Sequence, residues 1–126
     1  MRDLVKVYKV LSDESRLRVL NLLLERSCCV CEVMQVLDIS QSKASRGLSA
    51  LYDAGILKLR KDGLWSLYSI DWEGMDVTLK DIIQATTRSF EGNKIMAADR
   101  ERLRKAERVG PGCVKKTCGE KATASL

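Results

Sequence analysis

The sequence contains no histidine, and this absence excludes imidazole metal ligands, histidine-based acid–base catalysis and zinc centres that need a histidine. It also lacks any apolar run approaching the ~20 residues of a membrane-spanning helix. The charged start Met1-Arg2-Asp3 does not have the pattern of a secretory signal peptide. We therefore expect a cytoplasmic protein without a membrane partner. In that compartment clustered cysteines more often bind metal or do redox chemistry than form structural disulfides.

The composition is that of an ordinary globular protein. Of the 126 residues, 45% are hydrophobic and 31% are charged, which argues against disorder throughout the chain. This length is sufficient for one modest core with an extension. Lysine and arginine outnumber aspartate and glutamate by 22 to 17, and this excess weakly favours a polyanionic partner such as nucleic acid.

The first half of the chain predicts a helix-turn-helix. Apolar residues recur at helical spacing over residues 2–11, 15–25 and 33–37. The segment Asp38-Ile39-Ser40 is long enough only for a turn, and Ser40 is suited to cap the helix that follows. Gly55 is placed to end that helix at its C′ position. Two helices joined by a tight turn, the second with a polar face, are typical of a DNA-binding helix-turn-helix.

The second helix of this motif has two different faces. Ala44, Leu48 and Leu51 are spaced to form its buried side. Its opposite side is small, polar and cationic, as expected for a helix that reads DNA. The predicted DNA-contacting residues of this helix are Gln41, Ser42, Lys43, Ser45, Arg46 and Ser49. The pattern leaves open which of them contact base edges and which contact phosphates.

Two alternating segments flank Asp62-Gly63 and predict a β-hairpin with a type I′ turn, in which φ is positive at both central residues. Arg60 and Lys61 fall near its tip, where we expect them to contact phosphates. A basic hairpin directly after a helix-turn-helix is a wing. The predicted fold class is therefore mainly α (α+β), a winged helix-turn-helix with a two-stranded wing.

From Asp76 onward the pattern predicts one long helix with a single apolar stripe. The stripe consists of Leu79, Ile82, Ile83, Thr86 and Phe90. A core closed by the first 70 residues would leave this stripe uncovered, so we expect a homodimer formed through the first and last helices. We predict that residues 1–110 form the DNA-binding and dimerisation domain. Residues 111–126 are then a flexible tail that carries Cys113 and Cys118.

Cys28, Cys29 and Cys31 place three thiols within four residues. Thiolates are soft ligands, so this cluster is a candidate site for a soft metal, a metalloid or redox chemistry. On an ideal helix Cys28 and Cys31 point about 60° apart, whereas Cys29 and Cys31 point about 200° apart. One small ion cannot be held by all three unless the first turn unwinds.

We therefore hypothesise that ligand binding distorts the N-terminus of the helix that supports the DNA-reading helix. A position at a helix N-terminus is also expected to lower the pKa of these thiols and so favour the thiolate that binds.

Over roughly residues 1–108 these elements, in this order, resemble the ArsR/SmtB family of bacterial metal-sensing repressors. Residues 11–20 are similar to its opening helix signature, Cys29-Val30-Cys31-Glu32 to its CVC(D/E) motif, and residues 40–46 to its recognition-helix motif. The hairpin at Asp62-Gly63 is similar to its wing. The resemblance implies a homodimeric repressor, and not an enzyme, that leaves its operator DNA when a metal or metalloid binds the thiols.

This chain departs from the family pattern at three positions. Cys28 stands where the family usually has an apolar residue. Met34 stands where some arsenic sensors have a third cysteine. Gly47 stands where the recognition helix often has histidine, which costs about 1 kcal/mol of helix propensity relative to alanine and removes one potential DNA contact.

The resemblance further implies trivalent arsenic or antimony as the inducer, with no organic cofactor. Cadmium and lead sensors of the family recruit cysteines from the N-terminal arm, and no cysteine precedes Cys28. Its zinc, nickel and cobalt sensors use histidine, which is absent. The third thiolate is then Cys28, or Cys113 or Cys118 of either subunit. We favour Cys28, because a tail thiol must also be ordered from a flexible segment.

Three alternatives stay open. An oxidant or persulfide signal would join Cys29 or Cys31 to a tail cysteine, because a disulfide between vicinal Cys28 and Cys29 is strained. A thiol oxidoreductase or metalloid reductase is a weaker alternative, since the chain has no Cys-X-X-Cys in a βαβ context. A winged helix that binds protein would lack a salt-dependent affinity for DNA.

Overall fold

The computed structural model describes residues 2–108. In chain order its elements are α1 (Arg2–Leu11), α2 (Glu14–Glu25), α3 (Val30–Leu37), α4 (Gln41–Asp53), β1 (Leu57–Asp62), β2 (Trp65–Ile70), α5 (Val77–Arg88) and α6 (Lys94–Lys105). Helices α3 and α4 with the hairpin that follows form a winged helix-turn-helix, which confirms the predicted fold class. None of the helices within residues 2–108 has both the length and the apolar character needed to cross a bilayer.

The helix boundaries follow local capping chemistry. The Asp13 carboxylate accepts the backbone N–H of Arg16 at 3.0 Å and so caps α2, because the first N–H groups of a helix have no partner within it. The Ser40 hydroxyl likewise accepts the N–H of Lys43 at 3.1 Å and caps α4. Gly55 follows α4 with φ of 84°, the left-handed conformation in which glycine carries no Cβ penalty. The predicted Ser40 cap and Gly55 terminus are both confirmed.

Helix α4 packs its apolar side into the core, as the periodicity predicts. Ala44, Leu48 and Leu51 are completely buried, and α4 packs against both α2 and α3. Its position is therefore set by the two helices behind it.

The C-terminal segment is not one long helix. A turn over residues 89–93 separates α5 from α6, and Gly92 takes a positive φ of 80° there. The Asn93 side chain then accepts the N–H of Met96 at 3.0 Å and starts α6. Helix α6 folds back onto α2 and α3, and its Leu103 is fully buried. The expectation of a core closed by the first 70 residues is wrong, because α6 completes that core.

An ion pair fastens α6 to α2, and a hydrogen bond fastens it to α3. Asp99 is fully buried and accepts two hydrogen bonds from the Arg18 guanidinium on α2, at 2.7 and 2.9 Å. Arg102 also pairs with Asp99, and its Nε donates to the carbonyl of Val36 in α3 at 3.1 Å. Bidentate, charge-assisted contacts of this kind fix orientation as well as distance. Helix α6 is therefore held against both α2 and α3.

The hairpin is present, but its turn lies one residue later than predicted. The ladder runs from Leu57 opposite Ile70 to Asp62 opposite Trp65, so the two turn residues are Gly63 and Leu64. Within residues 2–108 the positive-φ positions include Gly63, at 65°, but not Leu64. A positive φ at the first central residue alone is the pattern of a type II′ turn. The predicted type I′ turn at Asp62-Gly63 is wrong because Asp62 stays paired in the ladder.

Candidate functional site

The polar side of α4 faces outward, opposite the core. Gln41, Ser42, Lys43, Arg46 and Ser49 are exposed and Ser45 is half-buried. Four of these side chains line a shallow depression on the surface: Gln41, Ser42, Ser45 and Arg46. This face combines hydrogen-bonding groups with a cation, which suits contact with base edges and phosphates.

Gly47 does not lie on that polar face. It is buried, and a Cβ built on it would lie 3.7 Å from Cγ2 of Val19 and 3.9 Å from Cγ of Arg16, both on α2. A side chain at this position would therefore contact α2. The expectation that Gly47 removes a DNA contact is wrong, because the helix turns this position inward.

The wing carries the two predicted cations near its tip. Arg60 and Lys61 are both exposed. The nearest acid to Arg60 is Asp62, with Nη1 4.0 Å from Oδ2, and both side chains are more than half exposed. Such an ion pair is weak and screened by salt, so the guanidinium is available to phosphates. The base of the wing meets α4 where the Tyr68 ring packs edge-on against Tyr52, with ring centroids 6.3 Å apart.

Cys28 lies outside the helix, in extended backbone beside the wing. Its N–H donates to the carbonyl of Tyr68 at 3.0 Å, and its carbonyl accepts the Tyr68 N–H at 2.9 Å, forming an isolated antiparallel bridge to β2. Cys29 is the N-cap residue of α3, and only Cys31 lies within the helix. The helical-wheel expectation that Cys28 and Cys31 share a helix face is wrong, because Cys28 pairs with a strand.

The three cysteines are buried, but they fall into two separate clusters. Cys28 belongs to the main hydrophobic core. Cys29 and Cys31 form a second cluster with Leu67 of β2, against which Met34 and Trp65 pack. The structure thus brings Cys29 and Cys31 together beside the wing and sets Cys28 apart from them.

The thiol groups also differ in their chemistry. Burial raises the pKa of Cys28 to about 12, and the nearby negative charge of Glu32 adds to this effect. The expected lowering of the thiol pKa by the helix N-terminus is therefore wrong for Cys28, because desolvation outweighs any effect of α3. Cys31 is disulfide-bonded, whereas Cys28 and Cys29 are not. The Gln35 amide donates to Sγ of Cys31 at 3.2 Å.

The sequence pattern assigns no role to Glu32, yet its carboxylate organises the thiol segment. Glu32 is 1% exposed, and its Oε1 accepts the N–H of Cys29 at 2.9 Å. Its Oε2 accepts Nη1 of Arg26 at 2.5 Å, and its Oε1 also accepts Nε of Arg108 at 3.2 Å. We call Glu32 with these two arginines the Glu32 clasp. The signal that could have found it is an acid at the third residue of a short helix, the capping-box position.

The segment that follows α6 crosses α3 beside the cysteine pair. The Gln35 amide that contacts Cys31 also donates to the carbonyl of Glu107 at 2.7 Å. Arg108 donates to the carbonyl of Ser27 at 3.4 Å and lies over the Trp65 ring, 5.9 Å from its centroid. Residues 106–108 are therefore anchored next to Cys29 and Cys31, an arrangement that periodicity did not indicate.

When the disulfide at Cys31 is reduced, the sulfurs of Cys29 and Cys31 suit a thiophilic ion chemically, but they do not complete a site. Within residues 2–108 no three Cys, Asp or Glu side chains stand close enough together to hold a metal ion. A three-coordinate ion on Cys29 and Cys31 thus needs either a movement of Cys28 or a donor from elsewhere. Cys113 and Cys118, the predicted accessory ligands, lie outside the described residues, as does the predicted tail of residues 111–126.

Comparisons with known proteins agree with this architecture. Residues 13–63 match the family described as bacterial regulatory protein, arsR family. The arsenic resistance transcriptional regulator ArsR1 of Pseudomonas putida is 40% identical over 97 residues, which cover 74% of this chain and 76% of ArsR1. The cadmium resistance regulatory protein CadC homolog of Staphylococcus aureus is 42% identical over 72 residues, covering 56% of this chain and 60% of that protein.

Solved structures of HlyU from Vibrio cholerae, one of them of reduced HlyU, are each 27% identical with a TM-score of 0.58. They cover 71% of this chain and 92% and 90% of theirs. The winged helix-turn-helix is thus shared with proteins of known structure, and the matches by sequence are to transcriptional regulators rather than enzymes.

Proposed function

Because this chain belongs to the arsR family of bacterial regulatory proteins, we propose that it is a homodimeric repressor that releases its operator when trivalent arsenic or antimony binds Cys29 and Cys31. The observation that carries the proposal is the position of these two cysteines. They lie at the N-terminus of α3, the helix that packs against α4, and they pack against Leu67 of the wing, so they contact one DNA-binding element and support the other.

The proposed DNA contacts divide between two elements. The exposed face of α4 enters the major groove, and its Arg46 and Ser42 are the side chains best placed to reach base edges or phosphates. Arg60 and Lys61 on the wing contact phosphates and so orient the protein without reading sequence. The net charge of +5 supports binding to a polyanion.

The proposed dimer uses α1 and α5 rather than the last helix. Helix α6 is packed against its own chain, and its Met96 and Leu103 are already buried there. An open groove between α1 and α5 is lined by Leu4 and Val7 on one side and by Leu79 and Ile82 on the other. The large side chain of Tyr8 on α1 is 55% exposed. A second copy of the chain would cover this apolar surface, as two-fold symmetric association allows.

The proposed switch links the cysteine pair to α4 through α3. Cys29 caps α3 and Cys31 lies in its first turn, so drawing both sulfurs to one ion strains the N-terminus of that helix. Helix α3 packs against α4, and close-packed interfaces respond to such strain by shifting. Both an arsenic and a cadmium resistance regulator are similar to this chain. Cadmium is therefore the alternative inducer to arsenite in this proposal.

The test measures binding to DNA from the region upstream of the protein's own gene, by fluorescence anisotropy of reduced protein. We expect tight binding without ligand, with arsenite or antimonite weakening it by at least about tenfold, a coupling of about 1.4 kcal/mol. Cys29→Ser and Cys31→Ser should keep DNA binding but lose the response. Equal affinity with and without arsenite in the wild type would overturn the proposal, and a response to cadmium alone would change its ligand.

A second candidate is a repressor that responds to an oxidant or a persulfide. The observation that favours it is the disulfide on Cys31, and HlyU, a similar protein, has been solved in a form described as reduced. Thiolate oxidation joins two sulfurs and would strain the same end of α3. Mild oxidation followed by mass spectrometry and DNA titration, in parallel with arsenite, separates the two signals. Release by oxidant with no response to arsenite would establish the alternative.

A further inference from the structure

We propose that Arg108 is a positioning residue for DNA binding, which acts by fixing the direction of the wing relative to α3. Arg108 lies just beyond the end of α6. The inference rests on the proposed binding of operator DNA, but it does not depend on which inducer the protein senses. It states that Arg60 and Lys61, the cations of the wing, reach phosphates only while Arg108 holds the wing in place.

The outer half of the wing has little packing of its own. In β1, Leu57 at the base is buried and the other five residues are exposed. In β2, Trp65 and Ser66 nearest the turn are half-buried. A two-stranded hairpin by itself is only marginally stable in water. The direction of the wing therefore depends on the rest of the molecule.

Two contacts hold the wing at different distances from its turn. Further from the turn, the backbone of Tyr68 pairs with that of Cys28. Closer to the turn, Cζ of Arg108 lies 5.9 Å from the centroid of the Trp65 ring. Trp65 is opposite Asp62 in the last pair of the ladder before the turn. A hairpin held at one point can pivot about that point, whereas a second contact further out fixes its direction.

The Arg108 guanidinium is itself fixed by the Glu32 clasp. Its Nε donates to Oε1 of Glu32 at 3.2 Å, and its Nη2 donates to the carbonyl of Ser27 at 3.4 Å. The residue before it is held by Gln35, whose amide donates to the carbonyl of Glu107 at 2.7 Å and accepts its N–H at 3.4 Å. Arg108 therefore connects the start of α3 to the outer part of the wing.

The chemistry of this contact requires arginine. A planar guanidinium can donate hydrogen bonds in its plane and still present a face to an aromatic ring, which the ammonium of lysine cannot do. The Arg108 side chain is 28% exposed, and its hydrogen bonds go to Glu32 and Ser27. A direct contact with a phosphate would compete with a buried carboxylate. The geometry therefore favours an action through the wing, and direct contact with DNA is the alternative that the experiment tests.

The experiment uses the reduced full chain and a duplex from the region upstream of its own gene. The variants are Arg108→Gln and Arg108→Lys, with Lys105→Gln as the matched control at an exposed cation of α6. Each variant is also made in a background in which both wing cations are replaced, Arg60→Gln with Lys61→Gln. Fluorescence anisotropy of the labelled duplex gives the affinity.

We expect Arg108→Gln and Arg108→Lys each to weaken DNA binding by about fivefold. Lys105→Gln should change the affinity by less than about twofold, as exposed substitutions usually do. In the background without the wing cations, Arg108→Gln should cause no further loss. Such non-additivity indicates that Arg108 acts through those cations, because independent contacts with DNA would add.

The fluorescence of Trp65 gives a second readout that does not involve DNA. The chain has two tryptophans, so Trp72→Phe in every variant leaves Trp65 as the only emitter. Removing the guanidinium from the ring should increase quenching by acrylamide in Arg108→Gln and Arg108→Lys, but not in Lys105→Gln. Circular dichroism identifies any variant that has lost its fold, and Arg108→Lys carries the test if Arg108→Gln does not fold.

Unchanged DNA affinity in Arg108→Gln overturns the inference. Wild-type affinity in Arg108→Lys also overturns it, because charge alone would then be sufficient. An additive loss in the background without the wing cations would show that Arg108 contacts phosphate directly, and unchanged quenching would show that it does not hold the wing. If the wild type does not bind the duplex, the proposed repressor function fails. The quenching measurement needs no DNA, so the two failures are distinguishable.

Discussion

Replacing Gly47 by alanine should stabilise the protein without weakening DNA binding. Gly47 lies inside α4 with its Cα turned toward α2, and its φ lies outside the left-handed range, so alanine fits without backbone strain. Alanine is favoured over glycine in a helix interior by about 1 kcal/mol. Its methyl group would lie 3.7 Å from Cγ2 of Val19, an ordinary contact, and burying one such group contributes about 0.8 kcal/mol.

Together these terms predict an increase of about 1–2 kcal/mol in the free energy of unfolding and a rise in Tm of about 5–10 °C. Urea unfolding followed by circular dichroism, at one fixed protein concentration, measures the first quantity. The matched control is Ser49→Ala on the exposed face of α4, which should gain only a few tenths of a kcal/mol and weaken DNA binding. The assigned orientation of α4 would be wrong if Gly47→Ala lowered the free energy of unfolding. It would also be wrong if Gly47→Ala weakened DNA binding while Ser49→Ala did not.

Three further predictions concern charge and ionisation. Above pH 9 the wild type should lose about 1.4 kcal/mol of stability per pH unit relative to Cys28→Ala. The reason is that the unfolded thiol ionises near its ordinary pKa of 9.0, whereas the buried thiol keeps its proton up to a pKa of about 12. Urea unfolding measured across this pH range would contradict the prediction if the two stability curves ran parallel. Asp99→Asn should lower the free energy of unfolding by about 2–4 kcal/mol, since it leaves the Arg18 guanidinium without its buried partner; unchanged stability in urea would show that this ion pair does not fix α6. Arg60→Gln and Lys61→Gln should each weaken binding to all DNA sequences alike and reduce the salt dependence by about one ion; an unchanged slope in a salt titration would remove the wing from the DNA interface.

Local sequence patterns predicted much of the helix-turn-helix correctly. The Ser40 cap, the Gly55 terminus and the buried side of α4 all follow from residues within one or two helical turns of each other, and the structure confirms them. The DNA contacts predicted on this helix stay predictions, since exposure shows only that they are accessible. The turn of the wing was missed by one residue, because Asp62-Gly63 and Gly63-Leu64 both satisfy alternation and only the ladder decides between them.

Long-range pairing explains what the sequence did not reveal. Cys28 was placed on a helix because its neighbours are helical, yet its backbone hydrogen bonds go to Tyr68, 40 positions later in the chain. Glu32 and Arg108 are separated by 76 positions, so no local pattern could join them. The break between α5 and α6 was missed because it depends on Leu103 reaching the core. Burial against distant helices, rather than helix propensity, decides where that segment turns.

The bridge between Cys28 and Tyr68 has a mechanical consequence. Strand β2 carries β1 on one edge, and at Tyr68 its other edge is occupied by Cys28. The backbone of Cys28, one residue before the N-cap of α3, is thus joined to the hairpin by two reciprocal backbone hydrogen bonds. A displacement of the Cys28 backbone must therefore either break both hydrogen bonds or move the hairpin with it. The phosphate contacts of the wing and the base contacts of α4 would then weaken together rather than in sequence.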